Sequence, residues 1–119
     1  MAKRSYTSKQ MGDAGEMLVA AELTLHGIPA LTVPDNWPGY DVIAECPKRG
    51  TQRISVKTRT FARSGSFVGY SNNDVFDWLA IVILPGEGCP TRRIFIIPGG
   101  VALARSYEAK NAGSLSISF

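Results

Sequence analysis

Hydrophobic and polar residues alternate through two adjacent segments of the chain, residues 39–45 and residues 52–59. Strict alternation is typical of half-buried strands, and the short segment with proline and glycine between them predicts a β-hairpin. On the second predicted strand, Ile54 and Val56 share one face. The other face is polar and consists of Arg53, Ser55, Lys57 and Arg59.

The predicted hairpin brings an acidic and a basic side chain to the same place. If it closes around Lys48 and Arg49, Asp41 lies opposite the step from Ser55 to Lys57. A carboxylate and an ammonium group then meet at one end of a two-stranded ribbon, where they could bind a metal ion and a phosphate. This pairing favours a nuclease-like site, although an aspartate after glycine is also typical of a strand start.

A helix is predicted before the hairpin. Thr7 and Gln10 form a capping-box pattern, and the helix is predicted to run to about His26, where Gly27 ends it. Glu16 lies opposite the main apolar stripe, among small and apolar neighbours, so we expect it to be directed at an edge or crevice. The stripe consists of Met11, Ala14, Leu18, Ala21 and Leu25.

The rest of the chain predicts further strands and a final helix. Proline suits the first turn of that helix, and the continuous apolar segment before it suits a central strand covered on both faces. The predicted elements are a strand at 28–33, a loop or short strand at 61–70, a cap at 72–74, strands at 77–84 and 93–97, and a helix from Pro98 to about Lys110. This order predicts a small α/β sandwich around a mixed sheet.

Positive charge is concentrated around the hairpin. The chain has 119 residues, a formal net charge of +3 and a sequence pI near 9.1, which by itself does not establish nucleic-acid binding. The basic row is a solvated strand face or a surface that contacts a polyanion, and its approach to Asp41 favours the second interpretation. Its members are Lys48, Arg49, Arg53, Lys57, Arg59 and Arg63.

Other features exclude several classes of protein. The longest apolar run, residues 78–84, is too short to cross a bilayer, and no apolar segment follows the first four residues as in a signal peptide. Cys46 and Cys89 form no CxxC motif and His26 is the only histidine, so a zinc site is not expected. We expect a cytoplasmic protein with reduced thiols and no membrane contact.

Three elements together resemble the PD-(D/E)XK nuclease superfamily, especially its small Holliday-junction-resolvase-like and restriction-endonuclease-like members. They are Glu16 in the opening helix, Gly39-Tyr40-Asp41, and Ile54-Ser55-Val56-Lys57-Thr58-Arg59 in the next strand. The resemblance covers residues 10 to 84. It implies one restriction-endonuclease-like α/β domain over residues 1–119, with a mixed sheet flanked by helices.

The resemblance also implies a chemistry and a role for each residue. The expected activity is cleavage of DNA phosphodiester bonds with Mg²⁺ or Mn²⁺, by a protein that is often a homodimer. Asp41 and Glu16 would be catalytic carboxylates that bind the metal, and Lys57 would be the catalytic lysine. The expected nucleic-acid contacts are Arg53, Arg59, Lys48 and Arg49.

One position departs from the superfamily pattern. Ser55 stands where an acidic residue normally precedes the lysine by two positions, so the site lacks one negative charge. Glu45 shares a face with Asp41, but four strand residues separate them by roughly 13 Å, too far for one metal ion. The sequence is therefore compatible with a weak nuclease, with a non-catalytic nucleic-acid-binding or assembly module on the same fold, and with an unrelated α/β domain.

Overall fold

The protein is described by a computed structural model. It describes residues 4–37, 39–62, 67–71, 76–86, 88–104, 107–108 and 114–118. The elements are α1 (Ser8–Leu25), β1 (Ala30–Thr32), β2 (Val42–Cys46), β3 (Gly50–Thr60), β4 (Phe67–Ser71), β5 (Trp78–Leu84), β6 (Arg93–Pro98), α2 (Gly99–Ala104), β7 (Tyr107–Glu108) and β8 (Ser114–Ser118). Within these ranges, no helix has the length and hydropathy needed to cross a membrane.

The strands form a five-stranded sheet in the order β1-β2-β3-β5-β6 and a three-stranded sheet in the order β4-β8-β7. In the larger sheet β3 and β5 are parallel, and the other neighbours are antiparallel, so the predicted mixed sheet is confirmed. The predicted hairpin closes with Cys46 opposite Gly50, and Gly50 has a φ of 76°, a conformation that favours glycine.

β5 is an interior strand of the larger sheet, between β3 and β6, and is buried on both faces, as its continuous apolar sequence predicts. One face packs with α1 around Val19, Val42 and Ile54. The opposite face holds a second cluster built on Leu79, Ile81 and Ile83. The two faces of the sheet therefore have separate cores, and a side chain on β3 belongs to one or the other according to its position in the alternation.

α1 begins as predicted but buries a different face. The capping box between Thr7 and Gln10 is present, yet the buried residues of the helix are Gly15, Val19 and Ala20, whereas Leu25 is 81% exposed. The predicted stripe was wrong at Ala21 and Leu25, which are exposed, whereas Leu18 packs against the core. The face with the smaller residues packs on the sheet, where glycine allows the helix backbone to come close. This orientation places Glu16 next to the sheet.

The C-terminal prediction was also wrong. The helix after Pro98 covers Gly99–Ala104 only, and Tyr107–Glu108 and Ser114–Ser118 are strands. Two glycines at the start weaken this helix, and alternating serine with leucine and isoleucine has the period of a strand. The first predicted strand is shorter, at Ala30–Thr32, and the segment after β3 contains β4. The cap predicted at 72–74 and the basic residue Arg63 lie outside the described residues.

Candidate functional site

Asp41 is held in place immediately before β2. Its backbone N–H donates to the Ile54 carbonyl at 2.9 Å, and its carbonyl accepts from the Val33 N–H at 3.0 Å. Its carboxylate Oδ2 accepts a hydrogen bond of 2.8 Å from the Val56 N–H. Because these three hydrogen bonds fix both the backbone and the side chain, the carboxylate is oriented before any ligand binds.

The hydrogen bond to Asp41 occurs where β3 extends past its neighbour. The last residue pair between β2 and β3 joins Val42 to Ile54, and β3 then continues to Thr60. The Asp41 carboxylate takes the place in which a carbonyl of a longer β2 would accept the Val56 N–H. An acidic side chain thus completes the sheet at this edge.

Lys57 directly follows the residue that binds Asp41, so the predicted pairing of Asp41 with the segment from Ser55 to Lys57 is observed. By strand alternation Lys57 lies on the face of β3 opposite the face covered by α1, so it does not share a face with Glu16. Lys57 is half-buried and forms no ion pair with any described residue. Ser55 is only 3% exposed.

α1 brings a group of carboxylates to the same edge. Oxygen atoms of Asp13, Glu16 and Asp35 lie within 4.8 Å of one another, and the charge of Asp41 acts on Glu16. These four carboxylates are called the acidic edge below. Lys9 binds Asp35 at 2.8 Å and Asp13 at 3.3 Å, at the exposed side of the group.

The acidic edge perturbs its most buried member. Burial raises the pKa of Glu16 to about 7, and the negative charges of Asp41, Asp13 and Asp35 act in the same direction, while Lys9 opposes them. A carboxyl group that titrates near neutral pH beside other carboxylates is typical of functional sites. Negative charge therefore exceeds positive charge at this edge.

Asp13 and Asp35 were missed in the sequence analysis, although the sequence holds a signal for each. Asp13 precedes Glu16 by three positions, so the two side chains are neighbours on the helix surface. Asp35 lies in the short loop between β1 and Asp41. Its proximity to the helix follows from the packing of α1 against β1, which local pattern does not reveal.

The predicted nucleic-acid contacts have different partners in the structure. Arg53 is bound to Asp77, which accepts from its backbone N–H at 2.8 Å and from its Nε at 3.3 Å. The Arg49 guanidinium lies over the Trp78 ring at 5.4 Å, and Lys48 is exposed in the hairpin turn. Arg59, the residue of this set farthest along β3 from the turn, donates to the Thr58 carbonyl at 2.8 Å.

An aromatic pair lies in the loop that leads to Asp41. The rings of Trp37 and Tyr40 meet edge to face with their centres 5.8 Å apart, and Trp37 is 44% exposed. Their mutual packing orders the loop beside the acidic edge. The exposed indole is also a surface on which a base could stack.

Comparison with known proteins identifies the fold. No family model matches the chain, and no curated protein matches it. The structure of the bacterial homing endonuclease I-Ssp6803I matches with a TM-score of 0.63 and 17% identity, over 96% of this chain and 78% of the other. Hjc, a Holliday junction resolvase from the archaeal hyperthermophile Archaeoglobus fulgidus, matches with a TM-score of 0.51 and 15% identity, over 90% and 83%. The chain therefore shares the restriction-endonuclease-like α/β fold of these two structures.

Proposed function

We propose that this chain is a divalent-metal-dependent endonuclease that cleaves phosphodiester bonds in DNA. The observation that supports the proposal most strongly is the fixed Asp41 carboxylate, with Glu16 near it and Lys57 one residue beyond its hydrogen-bond donor. The fold is shared with a homing endonuclease and a Holliday junction resolvase.

The acidic edge suits a hard divalent cation. Mg²⁺ and Mn²⁺ prefer carboxylate oxygens. Among the described residues, the acidic edge supplies four carboxylates, and Lys9 is the lysine that acts on them. In this proposal Asp41 and Glu16 hold the metal ion, and Asp13 and Asp35 add negative charge around it. When bound, the ion supplies Lewis-acid polarisation of a phosphate oxygen and of a water molecule.

Lys57 supplies the positive charge that the phosphate requires. Its ammonium group has no carboxylate partner among the described residues, so it can offset negative charge on the phosphate oxygens. It approaches from the sheet face opposite α1, whereas Glu16 lies on the side of the helix. In the proposal the scissile phosphate lies at the sheet edge between these two side chains.

A non-catalytic nucleic-acid-binding or assembly module on this fold is the second candidate. Ser55 supports it, because this buried residue is neutral where the superfamily pattern has an acid. A hydroxyl group is a weaker ligand for Mg²⁺ than a carboxylate, so metal affinity and cleavage are lower than with a third carboxylate. The two candidates differ in whether the remaining carboxylates retain a metal ion.

Cleavage of plasmid and branched DNA with Mg²⁺ or Mn²⁺ tests the proposal. The wild type should cleave slowly, and Asp41→Ala and Lys57→Ala should each lower the rate by about 100-fold or more, through lost metal binding and lost charge stabilisation. Glu45→Gln, on the same hairpin but exposed, is the matched control and should cleave like wild type. Equal cleavage by Asp41→Ala and wild type would exclude this site.

Ser55→Glu separates the two candidate functions. The new carboxylate should raise the affinity for Mn²⁺. Position 55 is only 3% exposed, so an unpaired carboxylate there destabilises the folded protein. Bound Mn²⁺ offsets this cost and should therefore stabilise the variant against unfolding. Calorimetric titration and thermal melting measure both effects. Absence of cleavage in the wild type, with none gained in Ser55→Glu, supports the binding module.

A further inference from the structure

The helix α1 makes its closest approach to β3 at Gly15. A Cβ atom added to this buried glycine would lie 1.8 Å from Thr58 Oγ1, 3.0 Å from its Cβ and 3.1 Å from its Cγ2. The backbone of α1 therefore rests directly on the Thr58 side chain. Any larger residue at position 15 has to push the helix away from the strand or displace Thr58.

Thr58 occupies this contact despite an energetic cost. It is 5% exposed, and its Oγ1 has no hydrogen-bond partner among the described residues. A buried hydroxyl without a partner costs about 1–3 kcal/mol relative to a satisfied one. The side chain therefore acts here through its shape, which a valine would reproduce without a buried polar atom.

Two carboxylates are positioned from the same short segment of β3. Asp41 accepts its hydrogen bond from Val56, and two residues further along β3 Thr58 supports the helix at Gly15. Glu16 is the next residue of that helix. One hydrogen bond and one steric contact on the same strand therefore both contribute to the relative position of the Glu16 and Asp41 carboxylates.

We propose that the contact between Gly15 and Thr58 positions Glu16 for joint metal binding with Asp41. The role of Glu16 rests on the proposed function, but the positioning itself is a property of the fold. Gly15 and Thr58 are positioning residues in this account and touch neither metal nor substrate. A shift of α1 by roughly 1.5–2 Å would restore ordinary contact distances for a side chain at position 15, and it would move Glu16 by a similar distance.

Gly15→Ala is the direct test, and Gly12→Ala is its control in the same helix. A Cβ at Gly12 meets nothing within 4 Å, so alanine there should leave Mn²⁺ affinity unchanged while improving helix propensity. Gly15→Ala should weaken Mn²⁺ affinity by about tenfold or more, the size expected for residues that orient ligands. Titration calorimetry measures affinity, and urea unfolding verifies that each variant is folded.

Changes at Thr58 make the test specific for shape. Thr58→Val keeps the contact and should bind Mn²⁺ like wild type. Adding Thr58→Ala to Gly15→Ala removes Oγ1 and Cγ2 but keeps the Cβ at 3.0 Å, so it should recover part of the lost affinity. A crystal structure of Gly15→Ala should show α1 displaced from β3 with the hydrogen bond between Asp41 and Val56 intact.

An unmoved helix in that crystal structure, or equal Mn²⁺ affinity in Gly15→Ala and Gly12→Ala, would overturn the positioning proposal. Failure of the wild type to bind Mn²⁺ would instead refute the proposed function. In that case the crystal structure of Gly15→Ala alone decides whether the contact sets the position of Glu16.

Discussion

The two ends of β3 differ in how far their charged side chains are neutralised by neighbours. At the hairpin end, Arg53 is bound to Asp77, and the Trp78 Nε1–H donates to Gln52 at 2.8 Å. At the other end, the acidic edge comprises Glu16 and three further carboxylates, and Lys9 is the one cation that contacts them in the described structure. One strand thus joins a neutralised end to an end with excess negative charge.

The pKa values of Glu16 and Asp77 are shifted in opposite directions at these two ends. Burial raises the pKa of Glu16 to about 7, and neighbouring carboxylates reinforce the shift. Partial burial also raises the pKa of Asp77, but hydrogen bonds from the Arg53 backbone and side chain, together with its charge, outweigh burial, and the net pKa lies below the ordinary value. The comparison indicates that Asp77 serves stability, and it supports the proposal that the acidic edge binds a cation.

The largest expected effect is on DNA cleavage, which should depend on Asp41 but not on Asp77. Asp41→Asn retains an oxygen that can accept from Val56 but removes the charge, so cleavage should fall by about 100-fold or more while unfolding free energy changes little. Asp77→Asn should leave cleavage by the folded protein unchanged. Nicking assays on matched amounts of folded protein measure both. Comparable losses of activity in both variants would erase the proposed distinction.

The next effect concerns stability at the hairpin end. Asp77→Ala removes the acceptor of the Arg53 hydrogen bonds and should lower the free energy of unfolding by about 1–2 kcal/mol near neutral pH, after allowance for solvent screening. Because the folded-state pKa of Asp77 is lowered, its contribution is present above the ordinary pKa of 3.8 and is lost as the pH falls through the folded-state value. Urea unfolding as a function of pH checks this, and a difference that grows in acid would contradict it.

The acidic edge should show the opposite pH dependence. A raised folded-state pKa means that ionised Glu16 opposes folding, and this penalty develops as the pH rises from the ordinary pKa of 4.5 to about 7. In metal-free protein, Glu16→Gln should increase stability by about 1 kcal/mol above that range, after screening is considered, and by nothing below it. Urea unfolding in the presence of a chelator measures the difference. Destabilisation by Glu16→Gln at alkaline pH would contradict the account.

The smallest effect distinguishes two arginines on β3 and its turn. Arg59 lies on the part of β3 that extends past Asp41, whereas Arg49 is beyond the opposite end of the strand and stacks on Trp78. Arg59→Ala should weaken binding to many DNA sequences alike and reduce the salt slope by about 1. Arg49→Ala should leave both unchanged. Fluorescence anisotropy over a range of salt concentrations measures this, and equal effects would indicate a DNA path along the hairpin.

The hairpin and the buried strand β5 are well predicted from the sequence because their signals are local. The alternation of polar and apolar residues predicts the strand pairing that places Asp41 beside the segment from Ser55 to Lys57. The apolar run Trp78–Leu84 predicts the buried strand. The capping box located the start of α1. These features depend on neighbouring residues and on side-chain period, which one sequence displays directly.

The helix face, the acidic partners and the C-terminal strands depend on tertiary packing. The larger apolar residues of α1 suggested one face, but Gly15 allows the other to approach Thr58. Asp35 reaches Glu16 across a loop, and Arg53 is bound by Asp77 from another strand. These contacts join residues that are far apart in the sequence, and the spacing of residues within one helix or strand does not reveal them. The predicted approach of the basic residues to Asp41 therefore needed the structure as a test.

The central claim is that the acidic edge binds a divalent cation, and thermal melting with Mn²⁺ tests it most directly. At a pH above about 7, where Glu16 is ionised, Mn²⁺ should raise the melting temperature of the wild type and of Glu45→Gln, because binding to the folded state stabilises it. The rise should disappear in Asp41→Asn. A rise of equal size in all three proteins, or no rise in the wild type, would contradict the account.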